Sequence, residues 1–155
     1  MSKPVSYDEL FPGRFLKAAL FKGKDATLEI SEVETESFEQ GKDKQGNPKP
    51  DKVQGVISFK GKDKQLALNS TNAQCIRAMV EEFSDEETAK NPQNWIGHRF
   101  TFFPTTTPMY NNEKKRMEQV DCIRLKGSPE LERPLTVEIK LPRKNPFNMK
   151  MEVTK

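Results

Sequence analysis

The chain has 155 residues, of which 34% are hydrophobic and 32% charged, with a formal net charge of +3. That length suits one domain with a modest core, and the mild positive balance permits nucleic-acid binding without requiring it. There is no apolar run long enough to span a membrane, no signal-peptide succession at the start and no CxxC pair between Cys75 and Cys122, so a soluble intracellular protein with reduced thiols is expected.

Ser6 and Glu9 stand at capping-box spacing, which predicts a short helical turn over 6–11 closed by Pro12 and Gly13. Arg14 to Phe21 is apolar without a clear period and reads as an extended or short helical segment that closes one end of the core. Lys22 to Asp25 is a turn. Ala26 to Val33 is the first strand, with Leu28 and Ile30 on one face and Thr27 and Glu29 on the other. Glu34 to Lys52 has no apolar periodicity and is rich in Gly, Asn, Pro and charge, the composition of a long mobile loop. Val53 to Lys60 is the second strand, with Ile57 and Phe59 inward and Ser58 and Lys60 outward. Gly61 to Lys64 is a hairpin turn, and Gln65 to Asn69 is the third strand with Leu66 and Leu68 inward.

A helix is expected from Thr71, whose hydroxyl is placed to cap and whose reciprocal capping-box position holds Gln74. Ile76, Met79, Val80 and Phe83 form its apolar face at i, i+3, i+4 and i+7. Ser84 to Asn91 either extends that helix or begins a second short one, and Asn91-Pro92 ends it.

Asn94 to Thr107 carries the strongest strand signal in the chain. Trp95 and Ile96 lead into Gly97. Phe100 and Phe102 then point to a core, Arg99 and Thr101 point away from it, and Phe103 joins the polar face. Pro104, with no N–H to donate, should stop the ladder. Thr105 to Gln119 reads as a second long polar loop holding Tyr110 and the basic run Lys114, Lys115 and Arg116. Val120 to Leu125 is the fifth strand, and Leu135 to Leu141 is an added edge strand in a remainder punctuated by Pro134, Pro142 and Pro146.

The expected class is therefore mainly β. The order of three strands, a helix and two more strands resembles the OB-fold, a five-stranded Greek-key barrel with its helix between strands three and four. The expected organisation is an N-terminal segment over 1–25, an OB-like barrel over 26–126 and a basic C-terminal extension over 127–155. In the OB-fold, the loops joining strands one to two and four to five flank the binding face, and here those are the two longest loops.

A narrower resemblance rests on Leu-Phe-Pro-Gly-Arg-Phe-Leu-Lys-Ala at 10–18, Leu-Asn-Ser-Thr-Asn-Ala at 68–73, Trp-Ile-Gly-His-Arg-Phe-Thr-Phe-Phe-Pro at 95–104 and Cys-Ile-Arg-Leu at 122–125. These segments resemble a family of small bacteriophage and prophage proteins encoded in replication and recombination clusters. The resemblance implies a role near single-stranded DNA in the cytoplasm of a bacterial host cell, beside a phage recombinase, polymerase or nuclease. The chain ends Met-Glu-Val-Thr-Lys, without the acidic tip by which bacterial single-strand-binding proteins recruit partners.

Single-strand binding needs cations for phosphates and aromatic faces for bases. The outward set supplies both: Lys60, Arg99, Phe103 and Arg124 from strands, and Tyr110, Lys114, Lys115 and Arg116 from the second loop. Other readings stay open at this level. Lys114 to Arg116 can be a solvated loop, Phe103 can pack under the C-terminal extension, Trp95 can close the barrel end, and Arg99 and Arg124 can pair with Glu29 or Asp121. The cations Lys140, Arg143, Lys144 and Lys150 form either a nucleic-acid tail or a solvated one. His98 reads as a partly buried structural residue, and the sequence holds no HExxH, Gly-rich phosphate loop or nucleophile elbow. Neither catalysis nor a cofactor or metal is expected. The rival class is a protein-interaction OB module that inhibits or adapts a nucleic-acid enzyme, a reading that the balanced charges of the first long loop suit.

Overall fold

The computed structural model describes residues 15–38, 42, 44–48, 52–111, 113–142 and 144–154. The helical turn expected over 6–11 and Arg143 lie outside the described residues. Seven strands and two helices follow in order: β1 (Ala26–Phe38), β2 (Lys52–Phe59), β3 (Leu66–Leu68), α1 (Ser70–Phe83), α2 (Glu86–Lys90), β4 (Arg99–Asn111), β5 (Arg116–Ser128), β6 (Leu135–Ile139) and β7 (Phe147–Val153). Short 3-10 turns stand at Ala18–Phe21 and Pro92–Trp95.

The protein is mainly β. Its strands form one sheet in the order β3-β2-β1-β4-β5-β7-β6. This differs from the expected five-stranded barrel: the sheet has seven strands and is not closed. The residues after 126 account for the difference, because they add β6 and β7 to the sheet at β5. Pro134 and Pro146 immediately precede β6 and β7 and so mark their starts, where a missing N–H costs no ladder bond. Phe147, Met149, Met151 and Val153 recur at period two, the signature of β7.

The core sits where the expected inward faces meet α1. Leu28, Ile30, Ile57, Phe59, Phe100, Phe102, Ile123 and Leu125 are buried against Cys75, Ile76, Met79 and Val80, and Phe83 packs at the margin. Phe59 and Phe102 meet edge to face with centroids 5.4 Å apart. Helix α1 is capped by Asn69, whose side chain accepts from Asn72 N at 2.8 Å, so the helix starts one residue before Thr71. Asparagine is the stronger cap, and Thr71 is buried within the first turn. Gln74 is not part of a capping box. Its amide donates to Lys140 O at 2.8 Å and accepts from Lys140 N at 2.9 Å, which ties α1 to the end of β6.

Trp95 and Ile96 precede the strand rather than open it. Trp95 is buried in its 3-10 turn and donates from Nε1 to Ala89 O at 2.9 Å. Gly97, at φ +90°, takes a backbone conformation that a side chain would oppose, and its N–H donates to Ile30 O at 2.8 Å. His98 is half-buried. Its Nδ1 lies 3.0 Å from Glu130 Oε1, and its ring rests on Phe83.

Strand pairing extends into both expected long loops. Residues Glu34 to Phe38 continue β1, and Val33 to Phe38 pair with Ile57 to Lys52. The polar run Glu34-Thr35-Glu36-Ser37 gives no sequence signal because it has no alternation of apolar residues, and its register is set by β2. Likewise β4 and β5 pair from Phe102/Leu125 to Asn111/Arg116. Pro104 does not stop that ladder. It faces Ile123, whose carbonyl accepts from Asn72 Nδ2 at 3.0 Å, so the polar groups of this pair point away from the hairpin centre. Pro108, four residues on, shares that orientation. Strand β1 pairs with β4 only over Arg99 to Phe102, so both ring nitrogens lie on an edge with no strand to serve.

The two thiols separate cleanly. Cys75 is fully buried, and burial pushes its pKa from 9.0 up to about 11, against the opposing pull of Arg124. Cys122 is half-buried on β5. In the folded protein at about pH 8, iodoacetamide should alkylate Cys122 first and reach Cys75 only on unfolding; equal rates read by mass spectrometry would contradict this packing. Because folding raises the Cys75 pKa, its contribution to stability is full below 9.0 and is lost as pH rises toward 11.

Candidate nucleic-acid interface

The eight expected binding residues fall into three places. The first is a row across β2, β1 and β4. Lys60 Nζ stands 4.0 Å from Glu29 Oε2, and Glu29 faces Arg99 in the register. The Lys60 side chain is 76% exposed, so this pair holds it loosely. Among the described residues, neither Arg99 nor Arg124 makes an ion pair. Asp121 faces Thr106, out of step with the Phe103/Arg124 pair, and so does not serve Arg124.

The second place is the Phe103/Arg124 cross-strand pair, with both side chains half-buried on the face opposite Phe102 and Leu125. The third is the hairpin tip, roughly 40 Å along the strand from Arg99 at about 3.4 Å per residue. Asn111 builds the turn: its Oδ1 accepts from Glu113 N at 3.0 Å and Lys114 N at 3.1 Å. Lys115 adopts φ 52°. Tyr110 faces Met117, and these side chains are 52% and 60% exposed, an unusual exposure for a matched apolar pair.

The eight do not converge on one pocket. Alternation along β4 puts Arg99, Thr101, Phe103 and Asn111 on one face and Tyr110 on the other. Between Arg99 and Phe103 the shared face is covered. The Thr101 hydroxyl is hydrogen-bonded to those of Thr27 and Thr154, and Thr101 is only 3% exposed. The segment after β7 therefore covers the base of the strip at Thr101, and Phe103 stays half-buried beside β7.

Glu118 tempers the charge at the tip. Its Oε1 is 3.4 Å from Lys114 Nζ and 3.2 Å from Arg116 Nη2, and its Oε2 accepts from Asn111 Nδ2 at 3.0 Å. The Asn111 amide, then Arg116 and Lys114, hold the Glu118 carboxyl below its ordinary pKa, so it stays ionised at neutral pH. Lys115 has no ion pair among the described residues. The expected basic run is thus one uncommitted lysine beside two cations sharing one carboxylate.

Lys126 and Met149, near Phe103, were absent from the expected residues, and Lys150 was named only among the cations of the C-terminal tail. Lys126, Met149 and Lys150 join Phe103, Leu125 and Glu152 around one cleft. The period-two run of β7 was the signal that brings Met149 and Lys150 here. Elsewhere, no group of three or more His, Cys, Asp or Glu side chains among the described residues is placed to hold a metal. No helix among them is long and apolar enough to cross a membrane. Comparison of the chain with protein-family models, curated proteins and solved structures finds no match.

Proposed function

We propose that this chain binds single-stranded DNA without strong sequence preference, using the β4–β5 hairpin, and that it supports phage DNA replication or recombination. The observation that carries the reading is the hairpin itself. It leaves the core with Phe103 beside Arg124, then presents exposed Tyr110 and Met117 below a turn with three cations. Alternating aromatic faces and cations suit a flexible polyanion whose bases are unpaired.

The fold supports the same reading. The neighbours β3-β2-β1-β4-β5, with α1 between β3 and β4, are arranged as in an OB-like unit left open between β3 and β5. Its β1–β2 and β4–β5 hairpins join the same successive strands as the loops with which OB-folds bind, which supports the reading. The phage setting comes from the sequence resemblance alone.

The second reading, a protein-interaction module that inhibits or adapts a nucleic-acid enzyme, draws on two observations. Glu118 offsets part of the tip charge, and Thr154 covers Thr101 at the base.

Fluorescence anisotropy with a labelled mixed-sequence oligonucleotide, single-stranded and duplex, separates the two. If three tip cations displace counterions, affinity for the single strand should fall roughly 20-fold between about 50 and 200 mM salt and exceed that for the duplex. Absence of binding at micromolar protein and low salt would end the DNA reading and leave the protein-partner one.

A further inference from the structure

The sheet parts between β5 and β7. These strands are parallel partners only at Gly127/Glu152 and Ser128/Val153. On the N-terminal side of both they separate, and a cleft of about 330 Å³ opens, lined by Phe103, Leu125, Lys126, Met149, Lys150 and Glu152. Its volume falls at the small end of ligand pockets, which run to about 1,000 Å³. Leu125 is buried and Met149 packs on the core, so the deep part of the cleft is apolar. Phe103 supplies a half-buried aromatic side.

The charges at the rim are unequally committed. Lys126 is held by Asp25, and that hydrogen bond, with Glu152 as a weaker contributor, raises the Lys126 pKa. Asp25 thus engages Lys126, while Glu152 stands at the rim as the one carboxylate among the lining residues. Lys150 is exposed and has no ion pair among the described residues. Arg124 faces Phe103, and its charge acts on the Cys75 thiol, which lies 3.9 Å from Met149 Sδ. As the cross-strand partner of the lining residue Phe103, Arg124 is a second cation without an ion pair among the described residues, next to one wall of the cleft.

We infer that this cleft is a nucleobase subsite. It takes one base of a single strand against Phe103, over Leu125 and Met149, with the flanking phosphates met by Lys150 and Arg124. The inference rests on the DNA reading above and adds a role for β7, which supplies one side of the site. An apolar slot flanked by free cations fits a base with its phosphate better than an uncharged side chain, which would leave both cations unanswered.

The test uses the full chain and an oligonucleotide carrying 5-iododeoxyuridine. Ultraviolet crosslinking should join it to Phe103 or Met149, identified by peptide mass spectrometry. Lys150→Gln, an exposed change, should keep the melting temperature, lower single-strand affinity about threefold to tenfold and reduce the salt slope by about 0.7. Wild-type affinity in that variant, with crosslinks confined to Tyr110 and Met117, would overturn the subsite and leave hairpin binding intact. Failure of the wild-type chain to bind the oligonucleotide would overturn both.

Discussion

Gly127→Ala should lower the unfolding free energy by about 3 kcal/mol, a large share of the roughly 5–15 kcal/mol typical of a domain. A Cβ at this position would stand 1.8 Å from Glu152 O and 2.6 Å from Glu152 N. The obstructing atoms are backbone, so no rotamer change relieves the contact. Relief requires β5 and β7 to separate, and Gly127/Glu152 is one of only two residue pairs joining them. The β6–β7 hairpin would keep its contacts with α1, including the Gln74/Lys140 pair, but lose its seat on the sheet. Denaturant unfolding and amide hydrogen exchange would test this: the midpoint should fall, and protection should be lost first over β6 and β7. Unchanged stability would mean that the two strands do not approach this closely.

Reversing the hairpin tip, K114E/K115E/R116E, should reduce single-strand affinity by at least about 100-fold at about 50 mM salt. The variant turns three cations into three anions beside Glu118 and removes both of its ion-pair partners, Lys114 and Arg116. The exposed turn lies far from the core, so the melting temperature should move little. Neutral changes, K114Q/K115Q/R116Q, should cost less and flatten the salt dependence by about 2. If both variants bind like the wild type, the tip does not meet phosphate and binding lies elsewhere on the chain.

Residues that bury one face announced their structure in the sequence, and residues that bury neither did not. Leu28 with Ile30, Phe100 with Phe102, and the stripe of Ile76, Met79 and Val80 all pack into the core as their spacing predicts. Glu36 to Ser37 and Thr105 to Thr107 carry no such spacing because they belong to two-stranded arms, and the register of an arm is set by its partner strand. Pro104 reads as a strand end only if both edges of β4 are taken; where β1 has already left, the missing N–H costs nothing. For the site, residue types were legible and placement was not. Phe103 and Arg124 do meet, while Arg99 is divided from them by Thr101 under Thr154, a contact between positions 53 residues apart. Strand β7 showed its period plainly, but the prolines before it read as breaks when they are boundaries.

The prolines of β4 also bear on how copies of this protein can associate. A projecting β-ribbon with exposed Met109, Tyr110 and Met117 invites stacking of like on like. Continuous stacking needs two competent edges per ribbon, one to receive and one to offer. Pro104 and Pro108 remove donors from the outer edge of β4, whereas the outer edge of β5 before Gly127 keeps its own. Each proline leaves a gap in the donor row of β4, so that edge is the poorer template for a further strand and continuous stacking through it is disfavoured.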